Sequence, residues 1–143
     1  MPRISRRKLN ENVIEELKEN FAFVVSALNN VKESEEFFEE FLTSEEKTML
    51  LKRLMLHLMI HNEYKNSQIN AVLGMSLESI RYHKLIYNSS GESYKKMIEK
   101  ISRREKSKHF WNKVESILKP AELFVKSRSD MKSRAKLLSG EYD

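Results

Sequence analysis

The sequence predicts an all-α fold, and three observations carry that reading. Only three glycines and two prolines occur in 143 residues, too few for the turns of a β fold or for a glycine-rich nucleotide loop. Apolar side chains recur at helical spacing along most of the chain. Ahead of several of those runs stands helix-start chemistry, at Asn10, Thr43 and Ser76.

The elements follow in order. Met1 to Lys8 is a basic arm. Asn10 or Asn12 can cap a helix reaching about Asn29, whose stripe of Val13, Leu17, Phe21, Val24 and Leu28 is expected to bury one face. Ser34, followed by Glu35 and Glu36, opens a second short helix ending near Phe41, the acids suiting its positive end. Thr43-Ser44-Glu45-Glu46 is a capping box, in which the Thr43 hydroxyl and Glu46 carboxylate satisfy backbone donors reciprocally. Leu50, Leu51, Leu54, Met55 and Leu58 continue that helix's apolar face to about Asn62.

Lys65 to Val72 forms the next helix, Gly74 a turn, and Ser76 the cap of a helix from Leu77 to about Tyr87. Asn88-Ser89-Ser90-Gly91 closes that unit. Glu92 to Ser102 and Lys108 to Leu118 read as two more helices, with Pro120 starting a shorter one that carries Leu123, Phe124 and Val125. The polar, basic composition of Ser127 to Asp143 is compatible with partial disorder. The domain organisation expected is a basic arm at 1–8, a helical domain at 9–91, a helical extension at 92–126 and a basic tail at 127–143.

Charge is divided unevenly. Residues 1–63 hold 9 Lys and Arg against 12 Glu, a balance of −3, whereas residues 64–143 hold 17 against 9 acids, a balance of +8. A basic half of that size suits a polyanionic partner, because positive potential steers phosphate backbones and releases their counterions. With no cysteine, disulfides, a thiol nucleophile and Cys-ligated zinc are excluded, and a cytoplasmic location is the simple expectation. The most apolar run, Met49 to Ile60, is interrupted by Lys52, Arg53 and His57, so no membrane span is expected.

The segment from Asn66 to Leu85 has the pattern of a helix-turn-helix. Ile69 and Leu73 lie one turn apart on the first helix, Met75 plugs the turn, Ile80 anchors the second helix from behind, and Gly74 supplies the left-handed backbone conformation. The second helix then offers Ser76, Leu77, Glu78, Ser79, Arg81, Tyr82 and Lys84 to a DNA major groove. Arg81 can pair bidentately with guanine, and Glu78 can accept from cytosine. Lys65, Asn66, Ser67 and Gln68 crowd the start of the first helix, where polar side chains and backbone amides can grip phosphate. Two positions depart from the usual pattern: Asn70 stands where a small residue is expected, and His83 where an aliphatic one is common. An ordinary helical hairpin, with Gly74 as a simple C-cap, is the plainer alternative.

The run Leu42-Thr43-Ser44-Glu45-Glu46-Lys47, then Leu50, Arg53 and Leu54, then Leu73-Gly74-Met75-Ser76, resembles the Trp repressor superfamily. Glu36 to Phe41 ahead of it resembles the Trp-repressor-like helix-turn-helix proteins of bacteria, and the likeness covers about residues 33–87. The resemblance implies a transcriptional regulator that binds double-stranded DNA as an intertwined homodimer. Phe21, Phe23, Phe37, Phe38 and Phe41 independently suggest a partner surface, being more aromatic area than thin helices hide alone.

In the tryptophan-regulated members, the resemblance implies, the effector is held by an arginine on the long helix, a threonine at its start, and an arginine followed by glycine on the recognition helix. Thr43 and Arg53 match, but Tyr82 and His83 replace the last pair. These four residues are therefore the effector-pocket candidates, and tryptophan itself is not expected to bind. His57 and His61 have the i,i+4 spacing that lets two imidazoles share a metal, with Glu63 close by, but no third ligand of suitable geometry is evident; interface or partly exposed histidines are the plainer reading, and neither metal nor cofactor is expected. His109 and Trp111 read as structural, with Trp111, Val114, Ile117 and Leu118 forming a packing stripe. No catalytic constellation occurs, so an enzyme is not expected. The reading from another class is a helical interaction module that kept this fold without DNA binding; a third is RNA or non-specific nucleic-acid binding.

Overall fold

A computed structural model describes residues 8–127 and 138–139. Among the described residues there are seven helices and no strand: α1 (Glu11–Ala27), α2 (Val31–Phe41), α3 (Ser44–His61), α4 (Asn66–Leu73), α5 (Leu77–Ser89), α6 (Glu92–Ser102) and α7 (Glu105–Ser127). The chain divides into two compact units, with the boundary between Leu51 and Lys52 inside α3. No described helix is long and apolar enough to cross a membrane. The basic arm and nearly all of the basic tail lie outside the described residues.

In the first unit, helix starts are set by side-chain caps. The Asn10 side chain accepts from the Asn12 backbone N–H at 3.0 Å, which fixes the start of α1. The second helix begins at Val31, three residues before the start expected at Ser34. Asn30 is the reason: its side chain accepts from Glu33 N–H at 2.9 Å, while the Glu33 carboxylate accepts from Asn29 N–H at 3.0 Å. Ser34, already inside the helix, bonds back to the Asn30 carbonyl instead. The expected capping box at α3 is present, with Thr43 N–H donating to Glu46 at 2.9 Å and Glu46 N–H donating to the Thr43 hydroxyl oxygen at 3.3 Å. The Thr43 backbone N–H and then its hydroxyl, both donating to the carboxylate, hold the Glu46 carboxyl below its ordinary pKa. Lys47 pairs with Glu39 and so ties α3 to α2.

Apolar residues in this unit meet one another without forming an interior. Phe37 stacks on Phe41 with ring centroids 5.2 Å apart, and Phe21 lies 5.7 Å from Phe41. Yet neither α1 nor α2 contains a buried residue. The stripe expected to be buried is open at Val13, Leu17 and Phe21, and Phe23 is 72% exposed.

The second unit holds the core. Leu56, Met59, Ile69 and Ile80 are fully buried, joined by Leu58, Ile60, Leu73, Tyr87, Ile98, Val114 and Leu118. Every residue from Leu56 to Ile60 is buried, so the end of α3 is enclosed on all sides, while Leu50, Leu51 and Leu54 of the expected apolar face are exposed. Ile98 of α6 and Val114 and Leu118 of α7 enter the same cluster as α4 and α5. Tyr64 stacks on Trp111 at 5.5 Å. Ile117 leaves the expected stripe and is 52% exposed. A break was expected before Pro120, but α7 runs through it. Proline removes the hydrogen bond to the Ser116 carbonyl and crowds that carbonyl with its ring, and Val114 and Leu118 are buried on one face just ahead of that defect.

Candidate functional site

The α4–α5 corner is built from residues with separate tasks. Gly74 adopts φ +62°, the left-handed conformation anticipated from sequence, and its N–H closes α4 on the Asn70 carbonyl at 2.9 Å. Asn70, which departs from the expected small residue, has a use here: its side-chain amide donates to the Met75 carbonyl at 2.7 Å and stitches the turn. Ser76 then caps α5 by accepting from Ser79 N–H at 3.2 Å. Ile69, Leu73 and Ile80 are buried, and Met75 and Val72 pack against them.

That packing leaves one face of α5 outside. Leu77, Glu78, Arg81, Tyr82 and Leu85 are exposed, Tyr82 at 62% and Leu85 at 70%. Ser79 and Lys84, expected on the same face, are half-buried, because they flank the inward positions Ile80 and His83. Ser76 is committed to the cap. At the start of α4, Lys65 and Ser67 are exposed while Asn66 and Gln68 are half-buried. The Gln68 side chain accepts from Lys65 N–H at 2.8 Å, and Asn66 Oδ1 is buried with no hydrogen-bond partner.

Behind α5 the structure assembles a group of rings that sequence reasoning missed. His57, 4% exposed, pairs through Nδ1 with the Tyr94 hydroxyl, and His61 Nδ1 lies 2.8 Å from the Tyr87 hydroxyl. His83 stands with its ring 5.9 Å from that of His57. Burial, then His83, then Arg53 push the His57 pKa down; burial and Arg53 push His83 down. Burial raises both Tyr87 and Tyr94. The i,i+4 spacing of His57 and His61 was visible in the sequence, but His57 is buried rather than partly exposed, and each imidazole has a tyrosine partner. No group of three or more His, Cys, Asp or Glu among the described residues could hold a metal ion.

The four effector-pocket candidates have different surroundings. Thr43 is engaged in the α3 cap, and Arg53 is exposed yet close enough to act electrostatically on His57, His83 and Tyr94. Tyr82 points its area to solvent, with its ring 5.6 Å from that of the half-buried His83. Compared with known protein families, curated proteins and solved structures, the chain matches none.

Proposed function

We propose that the chain is a sequence-specific, DNA-binding transcriptional regulator that acts as a homodimer and uses α4 and α5 as a helix-turn-helix, in the manner of the Trp repressor superfamily it resembles. The observation that carries the reading is the division of α5. Ile80 is fully buried against α4 across a left-handed glycine, while Glu78 and Arg81 stand on the exposed face. A helix fixed from behind and polar in front is what base reading in a major groove requires. Lys65 and Ser67 add phosphate contacts at the start of α4. Free tryptophan is not the expected effector, since Tyr82 brings no charge and His83 occupies volume beside His57.

A selection of bound duplexes from a random DNA pool tests this directly. One enriched sequence with two related half-sites is the expected result. Arg81→Ala should relax preference at one base pair per half-site, costing roughly 1–3 kcal/mol, whereas Lys65→Ala should weaken all sequences alike. A second reading rests on Leu77, Tyr82 and Leu85, which place much exposed apolar and aromatic area on the same face. An interaction module without DNA binding would use that area for a protein partner, and the selection would then return no enriched duplex.

A further inference from the structure

The cationic stripe of α6 lies opposite its buried side. Lys96 and Lys100 lie one turn apart on α6, Arg103 is its C-cap and Arg104 follows directly, with Ile98 on the other side of the helix at 2% exposure. The same four residues and Glu99 line an open groove of about 400 Å³. Glu99 is committed to Arg103, at 2.5 Å. Lys96, Lys100 and Arg104 form no ion pair among the described residues and are exposed. Four cations against one anion leave the groove at +3. Basic residues complement the negative end of any helix, but that accounts for the last turn, and Lys96 stands one turn earlier.

The end of α6 is also held in a particular place. Asn62 Nδ2 donates to the Ser102 hydroxyl at 3.0 Å, and the Ser102 hydroxyl donates to Asn62 Oδ1 at 3.3 Å. Asn62 Nδ2 further bonds the Leu58 carbonyl at 2.8 Å, so the contact is anchored on α3. Only Glu63 and Tyr64 separate Asn62 from Lys65, where α4 begins. The bond pair therefore ties the end of α6 to the end of α3, within one unit.

We propose that the groove of Lys96, Lys100, Arg103 and Arg104 is a second backbone-contact surface for duplex DNA, separate from the base-reading face of α5. The inference rests on the DNA-binding reading above. From Lys96 to the end of α6 at Ser102 the helix rises about 9 Å, a length over which one DNA strand presents roughly three phosphates. That matches the +3 of the groove. Asn62 and Ser102 are positioning residues that fix its register. Such contacts strengthen binding to every sequence and carry no base preference.

The test compares the full chain with Lys96→Gln/Lys100→Gln/Arg104→Gln, binding a mixed-sequence duplex and the selected duplex between 50 and 200 mM salt. In the homodimer, losing three phosphate contacts per protomer should make the slope of log K against log salt shallower by about 5.4 and weaken both duplexes on the order of 10,000-fold at 0.15 M salt. The ratio of the two affinities should stay unchanged. Circular dichroism checks folding, and should the triple variant unfold, Arg104→Gln alone, which removes one contact per protomer, should lower the slope by about 1.8. A slope equal to wild type, in a protein whose Arg81→Ala variant still loses base preference, overturns this surface and leaves the α5 reading standing. Wild-type chain that binds neither duplex overturns both.

Discussion

His57 of α3 and His83 of α5 stand with ring centroids 5.9 Å apart, and each has a buried nitrogen without a hydrogen-bond partner, Nε2 of His57 and Nδ1 of His83. Tyr94 satisfies the other nitrogen of His57 in either tautomer. Arg53 on α3, Tyr82 and Tyr87 on α5 and Tyr94 on α6 stand around them, and none of these brings a negative charge. Two neutral imidazoles are tolerated there; two imidazoliums beside a guanidinium are not.

A pH dependence of stability follows, with a defined sign. Both folded-state pKa values lie below the ordinary imidazole value of about 6.5. The unfolded chain therefore binds protons first as pH falls, so stability is fully present above about 6.5 and declines below it until the folded values are reached. Glu46 is also lowered, but its window lies under the ordinary carboxylate value and does not overlap. Urea unfolding at pH 7.5 and 5.5 should give a lower free energy at 5.5, and His83→Gln should shrink that difference. Equal stability at both pH values in the wild type would contradict the depressed histidines.

At Gly74 the cost of substitution is conformational alone. An added Cβ would meet nothing within 4 Å, but φ stands at +62°. Gly74→Ala should lose roughly 1–2 kcal/mol, and Gly74→Asn less, because asparagine tolerates the left-handed region better. The shift in urea midpoint at constant m-value measures both. An alanine variant as stable as wild type would mean that the turn does not need this conformation.

The inner and outer sides of α5 should respond unequally to truncation. Ile80 is 0% exposed and Leu85 70%. Ile80→Ala removes buried methylenes and leaves a cavity, costing about 2–5 kcal/mol, while Leu85→Ala should fall within about 0.5 kcal/mol of wild type. Comparable losses from the two variants would show that α5 packs with a different face inward.

Local chemistry was legible in the sequence wherever a few neighbouring residues determine the outcome. The Thr43–Glu46 box, the left-handed Gly74 and the Ser76 cap all formed as their side chains and backbone requirements dictate. Reading failed where two local signals competed, as at α2, where Asn30 with Glu33 captured the start ahead of Ser34. It failed again where packing overrode a local rule, as at Pro120 inside α7. The ring group could not be read at all, because the pairing of His57 with Tyr94 and of His61 with Tyr87 depends on which helix faces meet across 37 and 26 residues. Of the expected outer face of α5, Ser79 and Lys84 turned partly inward because periodicity fixes a helix's faces only to within a residue or so.

The absence of any buried residue in α1 and α2 leads to the last prediction. Phe23 is 72% exposed, Leu51 67%, Val31 61% and Phe41 57%. Monomeric proteins rarely leave so many large apolar side chains open to water on neighbouring elements of one unit. Helices of 17 and 11 residues are also marginal without packing to hold them. A second copy offers the same apolar face, and a self-complementary patch closes into a two-fold dimer without further growth. Sedimentation should therefore find a dimer at micromolar concentration, and the melting temperature should fall on tenfold dilution, because folding and assembly share one equilibrium. Phe23→Lys separates this from a monomer with an untidy surface: on a monomer a charge at so open a position changes stability by about 0.5 kcal/mol at most, whereas in the dimer it buries an unpaired ammonium. The variant should dissociate at concentrations where wild type does not, and should melt earlier. A folded wild-type monomer, with a concentration-independent melt and a neutral Phe23→Lys, would remove the dimer from the proposed mechanism.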